Sequence, residues 1–354
     1  MPDSQKGGWG SGREYFSLPE LACPEKQHPE EPMPTRRTLL GALAVLPQAA
    51  QAAWPERPIR VIVPFAAGGN TDVMARTVLA AMGETLGRSF VVENRAGGAG
   101  SLGADLAARA APDGYTLLAG SGGSLTANPV LQANLSYDPL RDFAPIGLLA
   151  RVPNVLILAP RMTQKSWPEL LAAAKAAPGS LNIASPAIGT TGHFALELLN
   201  HATGAGLVHV PYRGGGSLVA DLLAGNFDGA ILELSTALPL HQEGKARILA
   251  VAAEARVPQM PEVPTFIEGG VPGFTSTSFT ALLGPARLPA EIVAALREAA
   301  VQALATSAVA QRLVSLGATP ATPAETTPAG LTAYLVAELA RYRQAALLAG
   351  LRPQ

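Results

Sequence analysis

Apolar positions along the chain fall into short runs of two kinds. From Ile59 to Phe65 they are nearly continuous and β-branched or aromatic, as in a strand covered on both faces. Gly68 and Gly69 break this run, and Val73, Val78, Met82 and Leu86 then recur at helical spacing. The pattern predicts a strand, a glycine turn and a helix capped by Asn70 or Thr71. Strand-like runs are also predicted at 89–93, 115–119, 152–159, 181–184, 207–210, 229–232, 247–252 and 279–283. Helical patterns fall between them at 102–110, 167–176, 193–203, 218–224 and 289–304. Such alternation predicts an α/β protein with parallel-rich sheets and helices on both faces. Residues 289–348 show no strand pattern and are expected to pack as helices on the outside of a domain.

The segment before the first strand bears on compartment. From Met33 it reads MPTRRTLLGALAVLPQAAQAAW, with Arg36 and Arg37, an apolar run from Thr38 to Leu46, and small residues ending at Ala52. This is the layout of a cleaved export signal over 33–52. Its apolar run is far below the ~18 to 20 residues that a membrane-spanning helix needs. The paired arginines also fit a twin-arginine signal. Residues 1–32 are rich in Pro, Glu and Gly without periodicity, and are expected to be an untranslated or disordered extension, with the start at Met33. The single cysteine, Cys23, falls in that extension, so no disulfide, thiolate or Cys-based metal chemistry is expected of the mature chain.

A mature chain from Ala53 to Gln354 is long enough for two domains. The whole sequence carries a formal net charge of −1, against the concentrated basic excess of a nucleic-acid groove. No apolar run after the signal is long enough to span a bilayer.

Three more loops repeat the character of the first. They are Gly120–Ser124, Ala184–His193 and Pro211–Gly216. All four fall at predicted carboxyl ends of strands, where open α/β sheets place small ligands. The first also turns backbone N–H groups toward whatever lies above the strand, which suits an anion.

The phrases IRVIVPFAAGGNTDVMAR, VVENRAGGAGSLGAD, APDGYTLLAGSGGSLTANP, YDPLRDFAPI, HVPYRGG and PEVPTFIEGGVPGF, in this order, resemble the Bug-type solute receptors of tripartite tricarboxylate transporters. The resemblance covers the chain after Ala53. It implies the type II periplasmic-binding-protein fold, two α/β lobes with a ligand cleft between them: 53–153 plus 275–354, and 154–274. It further implies a monomeric, non-enzymatic periplasmic receptor with no cofactor, which passes a small organic carboxylate to membrane permease subunits. A sensor feeding a signalling partner, or an enzyme on the same scaffold, are the alternatives.

Carried over by residue, the resemblance assigns Ala67, Gly68, Gly69, Asn70, Thr71 and Asp72 to the first lobe's binding loop, with Ser121, Gly122, Gly123 and Ser124 beside it. The second lobe is expected to contribute Ser185, Ala187, Gly189, Thr190, Thr191, His193, Tyr212, Arg213 and Gly214. Hydroxyls and helix N-terminal amides suit a carboxylate. Asp72 would repel an anion, so capping its own helix is its expected role. Arg213 either pairs with a second carboxylate or is a solvated loop residue. Two departures stand out. Leu232 and Glu233 occupy positions where these receptors commonly carry Asp-Asn, which disfavours amino-acid ligands and leaves Glu233 either ligand-facing or solvent-facing. Asn70 replaces a common glycine, narrowing the loop or adding an amide donor.

Other motifs do not carry. Gly98–Gly103 matches a dinucleotide fingerprint, but the next strand ends without the acidic residue that would hold a ribose. No HExxH pair occurs, and His193, His201 and His209 do not share a helical face, so no metal site is expected. His209 reads as a hydrogen-bonded core residue. No G-x-S-x-G elbow is present. Citrate, other di- and tricarboxylates, aromatic acids and nicotinate-like compounds are all left open as ligands.

Overall fold

The computed structural model describes residues 54–212 and 214–353. The extension 1–32, the export signal 33–52, Cys23 and Arg213 lie outside the described residues.

Two sheets share one long strand. In the first, β1 (Ile59–Val63) lies between β2 (Phe90–Asn94) and β3 (Thr116–Ser121), both parallel to it. The next strands are antiparallel: β9 (Thr277–Pro285) pairs with β3, and β4 (Phe143–Leu158) with β9. β4 then leaves this sheet. Its residues up to Pro153 face β9, whereas Asn154–Leu158 pair with β7 (Gly229–Glu233) on one side and β8 (Arg247–Val251) on the other. Parallel strands β5 (Asn182–Ser185) and β6 (Val208–Pro211) extend the second sheet beyond β7. The hydrogen-bonding partners of β4 therefore change over at Pro153/Asn154, with the chain returning at Ser276, whose N–H bonds Ala252 O and whose O accepts Asn154 N–H.

Helices cover these sheets. Those that concern the cleft are α1 (Asn70–Leu86), α2 (Ser101–Ala108) and α3 (Asn128–Leu131), then α4 (Trp167–Ala176) and α5 (Thr191–Thr203). They are followed by α6 (Gly215–Ala224), α7 (Leu234–Gln242), α8 (Ala290–Ala305), α9 (Ser307–Ser315) and α10 (Pro328–Leu348). The C-terminal helices pack on β4 and on α1, as their outward position in the chain pattern predicts, and the two-residue strand β10 (Thr319–Pro320) adds an edge to β4.

Several boundaries differ from the pattern reading for physical reasons. β4 begins nine residues before the predicted Val152, because Pro145, Gly147 and Pro153 break the apolar alternation while register shifts at 145/147 and 148/150 accommodate them. Helix α7 was not predicted, since Pro239 sits inside it. Helix α1 is capped by Gly69, with no side-chain cap bond, rather than by Asn70 or Thr71. Its buried stripe is Met74, Ala75, Val78, Leu79 and Met82, with Val73 and Leu86 only partly covered.

Candidate functional site

A cavity of about 470 Å³ opens at the carboxyl ends of the parallel strands, within the range of small-molecule sites. One wall comes from Pro64–Ala66, Gly69–Thr71, Ala96–Gly100, Ser121, Gly123 and Ser278. The other comes from Pro186, Ala187, Thr190, Thr191, Tyr212, Gly214, Gly215, Glu233 and Thr236. Four helix N-termini contribute to these walls, those of α1, α5, α6 and α7. Three of them, α1, α6 and α7, have no side-chain cap bond. Their first-turn N–H groups are therefore free of protein caps and give the cavity a positive potential.

Of the sequence-predicted residues, Gly69, Asn70, Thr71, Ser121, Gly123, Ala187, Thr190, Thr191, Tyr212, Gly214 and Glu233 line this cavity. Others stand behind its walls. Gly68 N–H donates to Asp72 Oδ2 at 2.9 Å, and Asp72 also accepts from Arg76 and Asn94, at 3.0 and 2.9 Å. Asp72 thus braces the turn after β1 and holds Ala67 and Gly68 in place, in the manner of a capping box. Burial alone would raise its pKa, but the bonds from Arg76, Gly68 and Asn94 hold it below the usual carboxylate range. Asp72→Ala is expected to destabilise the chain by about 2–4 kcal/mol, since three donors lose their partner. Urea unfolding measures this, and a change under 0.5 kcal/mol would show that the turn stands without the carboxylate.

Ser124 is fully buried, exchanging bonds with the backbone of Ser121. Gly122 packs closely beside the methyl of Thr191, which a Cβ at this position would approach to 2.6 Å. Ser185, Gly189 and His193 form an understructure with His209. Ser185 Oγ donates to Ala187 O at 3.2 Å and meets His209 Nε2 at 2.7 Å, leaving that nitrogen as the donor. Gly189 N–H donates to His193 Nδ1 at 3.3 Å, and the two imidazoles stack with centroids 4.4 Å apart. Burial pushes both down to about 4, the neighbouring His209 adding to the effect on His193. The structure also gathers what helical spacing could not foresee: donor atoms of His193, Glu197 and His209 lie within 4.8 Å of one another, His209 arriving from β6. Stacked imidazoles do not aim their lone pairs at one point, and each already has a nitrogen engaged, so the trio supports the 185–190 loop.

The glycine run Gly98–Gly103, which matches a dinucleotide fingerprint, starts within the loop Ala96–Gly100, and that loop lines the cavity. Its position after β2, like that of the other glycine loops after their strands, was the signal that could have found it. Ser278 and Thr236 carried no such signal. Tyr212 offers mainly its ring, because its hydroxyl donates to Asp221 at 2.6 Å. Glu233 is the only carboxylate among the described residues lining the cavity, and burial pushes its pKa up. A second cavity of about 600 Å³ lies beside Arg151, Arg256 and Arg341. Those three cations already pair with Glu325, Glu268 and Glu338, so none of them is left unpaired for an anionic solute.

Two α/β sheets joined through one crossing strand, with helix N-termini turned into the cavity, define a solute-binding receptor of the type II periplasmic-binding-protein fold. A family model described as the tripartite tricarboxylate transporter family receptor (TctC) matches residues 74–342, and the chain belongs to that family. Protein BugT of Bordetella pertussis is 37% identical over 276 residues, covering 77% of this chain and 85% of BugT. An R. palustris protein solved with adipate superposes with a TM-score of 0.82 at 34% identity, covering 85% of this chain and 100% of that one. MatC from Rhodopseudomonas palustris, solved with bound malate, gives 0.78 at 35% identity, covering 82% and 99%.

Proposed function

We propose that this protein is an exported periplasmic receptor. It closes the lobes 53–153 plus 275–354 and 154–274 on a small organic carboxylate and hands it to the permease subunits of a tripartite transporter. The observation that carries this reading is the convergence of four helix N-termini, three without side-chain caps, on one cavity. Donors held there without reorganisation suit carboxylate oxygens. The relatives with adipate and malate support dicarboxylates as the first ligands to try. Chain 53–354, unfolded and refolded to strip any carried ligand, is the material to test against a panel of organic acids, amino acids and neutral solutes. A ligand at about a hundred times its Kd adds roughly 2.7 kcal/mol, which raises Tm by several degrees. A shift with carboxylates and unchanged ligand mass is expected. Shifts confined to neutral solutes, or consumption of the ligand, would overturn the proposal.

Glu233 shapes the pH dependence of the same site. Its raised carboxyl is neutral at low pH and compatible with an anionic neighbour; as pH rises through its pKa it ionises and repels. Dicarboxylate affinity is therefore expected to fall on alkalinisation, and Glu233→Gln to remove that slope in calorimetric titrations. Parallel slopes in wild type and variant would place Glu233 out of reach of the ligand.

A further inference from the structure

Asn70 differs from every other residue on the cavity wall in having one half of its amide committed and the other half idle. It opens α1 in the first lobe, and its Oδ1 accepts a hydrogen bond of 2.8 Å from Ser235 Oγ, which lies 165 positions away at the start of α7. Among the described residues this is the only side-chain hydrogen bond joining the 64–72 turn to residues 154–274. The Nδ2 of the same side chain is buried and has no partner, and Asn70 as a whole is 7% exposed. A buried donor without an acceptor is costly and uncommon. This one belongs to a cavity-lining residue, beside the uncapped amides of α1.

We propose that Asn70 is a specificity-determining clamp: Nδ2 donates to an oxygen acceptor on the bound solute, while Oδ1 ties the first lobe to Ser235 of the second. The proposal rests on the solute-receptor reading and adds to it the chemistry of one ligand position. A carboxylate, carbonyl or hydroxyl oxygen satisfies Nδ2. A methyl leaves it unpaired, and an ammonium opposes it, so both are rejected at this end of the cleft. The bond to Ser235 requires the lobes to be together. An acceptor that fixes the Asn70 side chain therefore also favours the closed arrangement.

Adipate and malate are the probes, titrated calorimetrically into wild type, Ser235→Ala, Asn70→Ala and Asn70→Asp, with folding of each checked by circular dichroism and Tm. Ser235→Ala removes one hydrogen bond from the closed state and should weaken both acids alike, by about 5- to 10-fold. Asn70→Ala should weaken them further. Asn70→Asp replaces the donor with a like charge and should cost the most, on the order of 100-fold or greater. Equal losses in Asn70→Ala and Ser235→Ala would overturn the ligand contact, as would wild-type affinity in Asn70→Asp. Should wild type bind neither acid, the receptor reading for these ligands fails separately. The cross-lobe bond is then judged by small-angle scattering, where a larger radius of gyration in Ser235→Ala supports it and an unchanged one overturns it.

Discussion

Gly122→Val is expected to weaken solute binding by about 10- to 100-fold while leaving each lobe folded. Gly122 follows β3 with φ −51° and ψ −39°, a conformation open to any L-residue, so the backbone itself sets no bar. What stands in the way is the start of α5. A Cβ at this position would lie 2.6 Å from Thr191 Cγ2, whereas its next neighbours, on Phe279 and Thr126, are at 3.6 and 3.7 Å. Thr191 has little room to retreat: it is 2% exposed, begins α5, and its hydroxyl points at Asn154 Oδ1 at 3.5 Å. Valine adds two further methyls to the clash. Overpacking of this kind costs about 1–3 kcal/mol, which, on the proposed closure of two lobes, falls on the closed arrangement alone and converts to the stated loss at 1.4 kcal/mol per decade. Calorimetry should show the weakened affinity, scattering a larger radius of gyration, and thermal unfolding of the ligand-free protein little change. Gly122→Val/Thr191→Ala should recover part of the affinity by removing the opposing methyl. Wild-type affinity in the single variant would show that the seam yields, and a Tm lowered by ten degrees or more would place Gly122 in the fold rather than at the seam.

The same seam marks the limit of what could be read from the chain. Elements built from local pattern were legible: the run at 59–63, the helix from Trp167 to Ala176, and the short β-branched runs that became β5, β6 and β8. Where proline or glycine interrupts the pattern and tertiary pairing overrides it, the reading failed, as in the first half of β4 and in α7. Glycine loops after strands pointed to the cavity because their position depends only on strand direction. Which face of each loop meets the cavity was not legible. Asp72, Ser124 and His193 have the polarity of ligand contacts but turn away into buried hydrogen bonds. Periodicity carries no information about contacts between residues far apart in the chain, so Ser235 on Asn70, His209 on His193 and Gly122 on Thr191 were all beyond it.

Acidification from pH 7 to pH 5 is expected to destabilise the protein, with His193 and His209 as the principal cause. Burial holds both imidazoles neutral, with pKa values of about 4 in the folded chain against about 6.5 when unfolded. Between those values the unfolded chain binds more protons than the folded one, so stability rises with pH across that window. The contribution is fully present above pH 6.5 and is lost as pH falls toward 4. For His193, whose side chain is 8% exposed, the loss from pH 7 to pH 5 amounts to about 2 kcal/mol; partly exposed His209 contributes less. Glu197, facing His193 at 3.8 Å, acts in the opposite sense, because burial raises its carboxyl and the folded state then binds the extra proton. The net slope is therefore shallower than the two imidazoles alone would give. His209→Gln keeps an amide donor for Ser185, and His193→Gln can still accept from Gly189, so the 185–190 loop retains its supports while the titrating groups are removed. The double variant should lose most of the difference in urea-unfolding stability between pH 7 and pH 5. An unchanged difference would assign the acid sensitivity to carboxylates elsewhere.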